Sequence, residues 1–238
     1  MPRTTLFAAA LATVPLPAAA DVTARYDLGK KQLSVEVDDS GDYRISYAGM
    51  VSVIHHAGKD YVVVEMGAQP VTMERAAVLA AAAKMLAADT KRPKAADAPF
   101  VLSRGAEARV AGRAGTTWLL KPDKPDEKPL EMVMSADPAL APIGAAIRDT
   151  MVPLGSMFGT SMGAPSSFVP QWTALFAKGT PLQLGVERPQ ITLVSVDTAD
   201  IAESRFALPG EVVSPDALVS MLAGKRGPGE PPAPAPLP

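Results

Sequence analysis

Cysteine and asparagine are both missing from this 238-residue chain. Without cysteine there is neither a disulfide framework nor the lipidated residue that tethers a bacterial lipoprotein, so a packed core has to supply the stability alone. Without asparagine there is no acceptor for an N-linked glycan. Aromatic residues make up 5% of the chain, and His55 and His56 are its two histidines. Charge of one sign is also scarce: 23 basic against 25 acidic residues leave a formal net charge of -2, so the basic face that marks a nucleic-acid partner is not expected. The apolar run from Leu6 to Val14 is short against the roughly 20 residues that a membrane-spanning helix needs. The chain is accordingly expected to make at most peripheral contact with a membrane.

That N-terminal run has a different use. Arg3, the stretch Leu6 to Val14 and the small-residue ending Ala18-Ala19-Ala20 have the order of an export signal followed by a cleavage site. Residues 1–20 are therefore read as a signal peptide cleaved near Ala20, with a mature chain beginning about Asp21 in the periplasm or outside the cell. The composition, with 18 glycines, 24 prolines and no asparagine, is that of a chain from a high-GC bacterial genome and says little about function.

From Val22 onward the pattern has a period of two, as in an antiparallel meander. Leu33, Val35 and Val37 alternate with polar neighbours, and so do Tyr43, Ile45 and Tyr47 after the turn at Asp39-Ser40-Gly41. With the strands near Val22 to Leu28, Met50 to His56 and Tyr61 to Met66, this predicts about five strands with one apolar face, placing Leu33, Val35, Ile45 and Val53 in the core. Val71, Val78, Leu79, Ala82, Met85 and Leu86 fall at helical spacing, which predicts a covering helix capped by Thr72 and running to about Ala88. Strand patterns return at Phe100 to Ser103, Glu107 to Ala111, Thr116 to Leu120 and Leu130 to Met134. Others follow at Leu182 to Glu187 and Ile191 to Asp197, with a short closing one near Arg205 to Leu208. Residues 21–223 read as one exported domain ending in a short helix from Pro215 capped by Ser214, and residues 224–238 as a disordered proline-rich tail.

Between Asp149 and Lys178 no residue is charged. The segment carries Met151, Leu154, Met157, Phe158, Met162, Phe168, Trp172 and Phe176, with Gly155, Gly159 and Gly163 spaced four apart. Because Pro153, Pro165 and Pro170 interrupt it, a helix near Ala139 to Phe158, a break and a second helix near Phe168 to Lys178 are expected. Two readings stand side by side: a packed two-helix cover on the sheet, or a methionine-rich lid whose eight large apolar side chains line a cavity for an apolar ligand.

Enzyme and metal signals fail on their context. Gly159-Thr160-Ser161-Met162-Gly163 matches G-x-S-x-G, but a nucleophile elbow needs a strand before its serine and a histidine downstream. Adjacent His55 and His56 on a strand point to opposite faces, which does not suit one metal ion. Asp38 to Asp42 resembles a calcium loop in composition only and reads as a hairpin turn. No catalytic residue, no metal ligand and no cofactor is assigned.

Taken together, the export signal, meander, covering helix, further strands, uncharged helical insertion and the segment Phe206-Ala207-Leu208-Pro209 resemble the periplasmic half-barrel superfamily of the lipoprotein carrier LolA and the receptor LolB. Tyr26-Asp27-Leu28-Gly29-Lys30-Lys31 and Val110-Ala111-Gly112 before Thr116 are the other local similarities. The resemblance implies an α+β fold: a strongly curved antiparallel sheet of about ten strands with helices on its concave side, around a space that takes acyl chains. The function expected from it is non-catalytic binding or carriage of a lipid or other apolar envelope molecule. The alternative is an envelope scaffold or interaction protein with a fully packed core and an envelope protein as partner.

Overall fold

Tight hairpins organise the chain. The computed structural model describes residues 21–66, 69–88, 98–124, 127–161, 163–214 and 216–217. Strands β1 (Val22–Leu28), β2 (Lys31–Val37), β3 (Tyr43–Tyr47), β4 (Val51–His56), β5 (Lys59–Met66) and β6 (Gln69–Glu74) form an unbroken meander. After α1 (Arg75–Ala88) come β7 (Phe100–Val110), β8 (Arg113–Pro122) and β9 (Leu130–Ser135). Helices α2 (Ala141–Ser161) and α3 (Phe168–Phe176) precede the last pair, β10 (Thr180–Val186) and β11 (Arg188–Asp197). All eleven pair antiparallel in one sheet, in the order β6-β5-β4-β3-β2-β1-β11-β10-β9-β8-β7. The sheet is curved and unclosed, so the fold is an α+β half-barrel.

Turn chemistry sets the register. Ala57-Gly58 and Ala111-Gly112 each place two residues at positive φ, at 51° and 74° and at 49° and 76°, the conformation that a two-residue hairpin matched to strand twist requires. Asp38 nucleates the β2–β3 turn: its Oδ1 accepts from the Ser40 N–H at 3.0 Å, the Ser40 hydroxyl at 2.7 Å and the Asp42 N–H at 2.9 Å. This carboxylate is spent on a hairpin, as expected.

The helices cover the concave face. α2 runs across β1, β2, β3 and β10, α3 faces β7 and β8, and α1 lies against β5, β6 and α2. Beneath them Val35 and Ile45 are buried, while Leu33 and Val53 are half-buried and packed against the same core. Tyr26 is also buried; its hydroxyl donates to the Pro181 carbonyl at 2.9 Å, and burial pushes the phenol above its ordinary range. Among the described residues no helix is long and apolar enough to cross a membrane.

Several expectations need correction. Thr72 does not cap a helix; it lies inside β6, where Val71, Thr72 and Met73 are all buried. A strand covered on both faces loses the alternation that would identify it, which is why Val71 joined a helical stripe. The two patterns at Phe100 to Ser103 and Glu107 to Ala111 are one strand, β7, with a register shift between Arg104 and Glu107. Pro153 sits inside α2, as the helix expected near Ala139 to Phe158 has it, and needs no correction. No strand forms at Arg205 to Leu208: residues Glu203–Arg205 make a 3-10 turn, and Phe206 is buried as a lone anchor.

That anchor belongs to a strap over the sheet's other face. Arg205 forks onto the Glu36 carboxylate at 2.9 and 2.7 Å, Arg44 donates to the Arg205 carbonyl at 3.2 Å, and the Val213 N–H donates to the Thr72 carbonyl at 2.8 Å. Glu36, Arg44 and Thr72 point away from the helices, so residues 203–213 lie on the opposite side. Their cover accounts for the burial of Ser52, Ile54 and Val63 on that face. The Ser214 hydroxyl accepts from the Ala217 N–H, as a cap should. Residues 1–20 and 218–238, with the expected signal, the rest of the terminal helix and the tail, lie outside the described residues.

Candidate functional site

The uncharged segment forms an aromatic seam between α2 and α3. The rings of Phe168 and Trp172 stack at 5.8 Å, Trp172 meets Phe176 edge-on at 4.8 Å, and Phe100 meets Phe168 edge-on at 5.0 Å. The seam needs the α2 glycines: a Cβ at Gly155 would run into the Trp172 indole, and one at Gly159 into the Phe168 ring. The four-residue glycine spacing therefore accommodates rings, and the Trp172 Nε1–H donates to the Met151 carbonyl at 3.0 Å. Of the eight candidate side chains, Phe176 is buried, and Met151, Leu154, Met157, Phe168 and Trp172 are half-buried. Met151, Phe168 and Trp172 pack against the core. Phe158 lies on α2 with its side chain outside the described set, and Met162 is outside it altogether. The seam thus brings Met151, Phe168, Trp172 and Phe176 together. Phe176 also reaches a small dent of about 150 Å³ beside Ser135 and Thr180.

A second place was not picked out from the sequence. His55 pairs across the ladder with Tyr43 on one side and with Asp60 on the other, so all three share the helix-covered face. Asp60 gathers the cluster: its carboxylate accepts from His55 Nδ1 at 2.8 Å, from the Tyr43 hydroxyl at 3.2 Å and from an Arg75 guanidinium nitrogen at 2.5 Å. The His55 and Tyr43 rings are stacked, with centroids 5.0 Å apart. Burial, helped by the Asp60 charge, pushes the Tyr43 phenol up to about 12. The buried Thr150 hydroxyl stands near that phenol but outside good hydrogen-bonding geometry.

Arg75 links the cluster to α2. A proline within a helix leaves the carbonyl four residues earlier without its donor; for Pro153 that carbonyl is Asp149, and Arg75 donates to it at 2.9 Å. A chain of contacts thus runs from the β3–β5 strands through Asp60 and Arg75 to the proline turn. Together with Arg148, Val152 and Thr173 these residues line a groove of about 490 Å³. Some of the signal was available in the sequence: a two-residue turn at Ala57-Gly58 sets His55 opposite Asp60. Arg75 was not legible, because its partner carbonyl is created by a proline 78 positions on.

The sequence's other chemical motifs are absorbed. His56 bonds Asp42 through Nδ1 at 2.5 Å, so the two histidines hold separate carboxylates. Ser161 ends α2 instead of following a strand, and both histidines lie on β4, so the elbow context is absent. Among the described residues no group of three or more potential ligands could hold a metal ion.

These features define an unclosed half-barrel with a ring-packed helical cover and a polar groove at its edge. No protein-family model and no curated protein matches the chain. Among solved structures it is similar to a crystal structure of MucB, with 14% identity and a TM-score of 0.35 over 80% of this chain and 58% of that one. It is likewise similar to MucB in complex with MucA(peri), at 15% identity and a TM-score of 0.34 over 83% of this chain and 58% of that one. The third structure is the Pseudomonas aeruginosa MucA/MucB complex, at 14% identity and a TM-score of 0.33 over 82% and 59%. The chain thus spans less than two thirds of the MucB chain, and so distant a likeness carries no argument about the site.

Proposed function

We propose that this chain is an exported, non-catalytic envelope protein that works by binding a protein partner, its sheet and helical cover serving as a closed scaffold. One observation carries the reading: Trp172 and Phe168 are seated against Gly155 and Gly159, in space that a Cβ at either glycine would invade. Side chains committed to such a seam are not free to line a cargo chamber. The Asp21 carboxylate accepts from the Asp39 and Ile201 N–H groups, so the folded part has fixed contacts from the residue that an export cleavage near Ala20 makes the first.

A second reading, carriage of a lipid or other apolar molecule, is favoured by the partial exposure of Met151, Leu154, Met157, Phe168 and Trp172. Acyl burial contributes roughly 0.8 kcal/mol per methylene and needs no polar residue. Native mass spectrometry and solvent extraction of the full chain, recovered from the envelope of expressing cells, separate the two. The scaffold reading expects no stoichiometric apolar molecule; a lipid recovered at near one per chain makes the protein a carrier.

A further inference from the structure

The groove between the β4–β5 hairpin, the start of α1 and the Pro153 turn of α2 continues past Arg75. A second depression of about 340 Å³ shares Asp60, Arg75 and Pro153 with it and extends to Lys59, Ala76 and Leu79. The two make one elongated trough. Along it, polar capacity is unevenly used. Asp60 and Arg75 are engaged with each other, Asp60 also with Tyr43 and His55, and Arg75 also with the Asp149 carbonyl. The His55 ring is only half engaged: Nδ1 is taken by the Asp60 carboxylate, and Nε2 has no partner among the described residues. Arg148 engages Asp149 through Nε at 3.2 Å, and the exposed Thr173 hydroxyl makes no hydrogen bond among the described residues.

Charge narrows the ligand. Arg75 is balanced by Asp60, Arg148 by Asp149 and Lys59 by Glu74, so the trough selects neither an anion nor a cation. Its apolar steps are Val152 with Pro153 in the first depression and Ala76 with Leu79 in the second, where Pro153, Arg75 and Asp60 line both. The geometry points to a binding site for an extended, near-neutral peptide segment of a partner protein. The peptide's amides pair with His55 Nε2, Arg148 and Thr173, and its alternate apolar side chains rest on the two steps. Interleaved donors, acceptors and apolar notches complement an extended backbone, whose groups alternate in the same way. A sugar calls for an exposed ring to stack on, whereas Tyr43 is 5% exposed beneath His55. The assignment rests on the partner-binding reading above.

Panning a display library of random short linear peptides on the purified full chain, followed by calorimetry on the selected peptides, tests it. Enriched peptides should bind the wild type with micromolar affinity and lose about tenfold or more, equivalent to about 1.4 kcal/mol, in each of Thr173→Arg and Arg148→Ala. Both side chains are exposed, so thermal unfolding should stay unchanged and separate lost binding from lost fold. Selected peptides indifferent to both variants overturn the trough as the site while leaving partner binding intact. No enriched peptide, or binding of a soluble chitin oligosaccharide in its place, overturns the assignment of a peptide ligand.

Discussion

Tyr43 carries more of the design than its place in an alternating strand suggests. Its phenol is held neutral by burial, with a folded-state value of about 12 against about 10 in an unfolded chain. Between those two values the unfolded chain gives up a proton that the folded chain retains, so this contribution to stability is complete below about pH 10 and is lost as pH rises through the window. Tyr43→Phe should flatten the fall in unfolding free energy measured between about pH 8 and about pH 12; an unchanged slope contradicts the burial assigned to this ring. At this scale the sequence was legible where a residue's role follows from its own strand, as for Val35 and Ile45. It was illegible where the role depends on partners from other elements. His55, Asp60 and Arg75 come from β4, β5 and α1, and only register and a helix crossing bring them together.

Among the elements, α2 is shaped by two residues usually thought to weaken helices. Gly155 admits the Trp172 ring, and Pro153 releases the Asp149 carbonyl that Arg75 recovers. Gly155→Ala sets these effects against each other: intrinsic propensity favours alanine by about 1 kcal/mol, while overpacking costs about 1–3 kcal/mol. We expect net destabilisation in chemical unfolding, relieved when Trp172→Ala is added, because the two side chains share one space. An additive double mutant contradicts the seam. Arg75→Met should cost about 2 kcal/mol, as loss of a charged hydrogen-bond partner does. It should also raise amide exchange in α2 around Pro153 more than in β1 and β2. Uniform exchange across the molecule counts against Arg75 as the link between sheet and helix. Both helices of the insertion were legible because each is apolar and uncharged over most of its length and a proline- and glycine-bearing stretch lies between them. It missed β6 and the form of the closing segment for one reason: Thr72 and Phe206 are buried on a second face that no alternation reveals.

For the whole molecule, the half-barrel was readable because five short strands alternate in succession and their turns are short. The strap at residues 203–213 was not, since a buried Phe206, the Arg205–Glu36 pair and contacts to Arg44 and Thr72 hold it, none of them periodic in the sequence. Export is an expectation of the N-terminal pattern, and N-terminal sequencing of envelope-extracted protein should find Asp21 or a close neighbour; retention of Met1 counts against it. The central claim is that the helical cover is a closed scaffold and not a lid. Titration of a fluorescent fatty acid into the full chain carrying Trp118→Phe, which leaves Trp172 as the reporting indole, tests it most directly. The scaffold predicts no saturable binding and constant Trp172 emission; micromolar, saturable binding that shifts Trp172 emission contradicts it and identifies an apolar-ligand carrier.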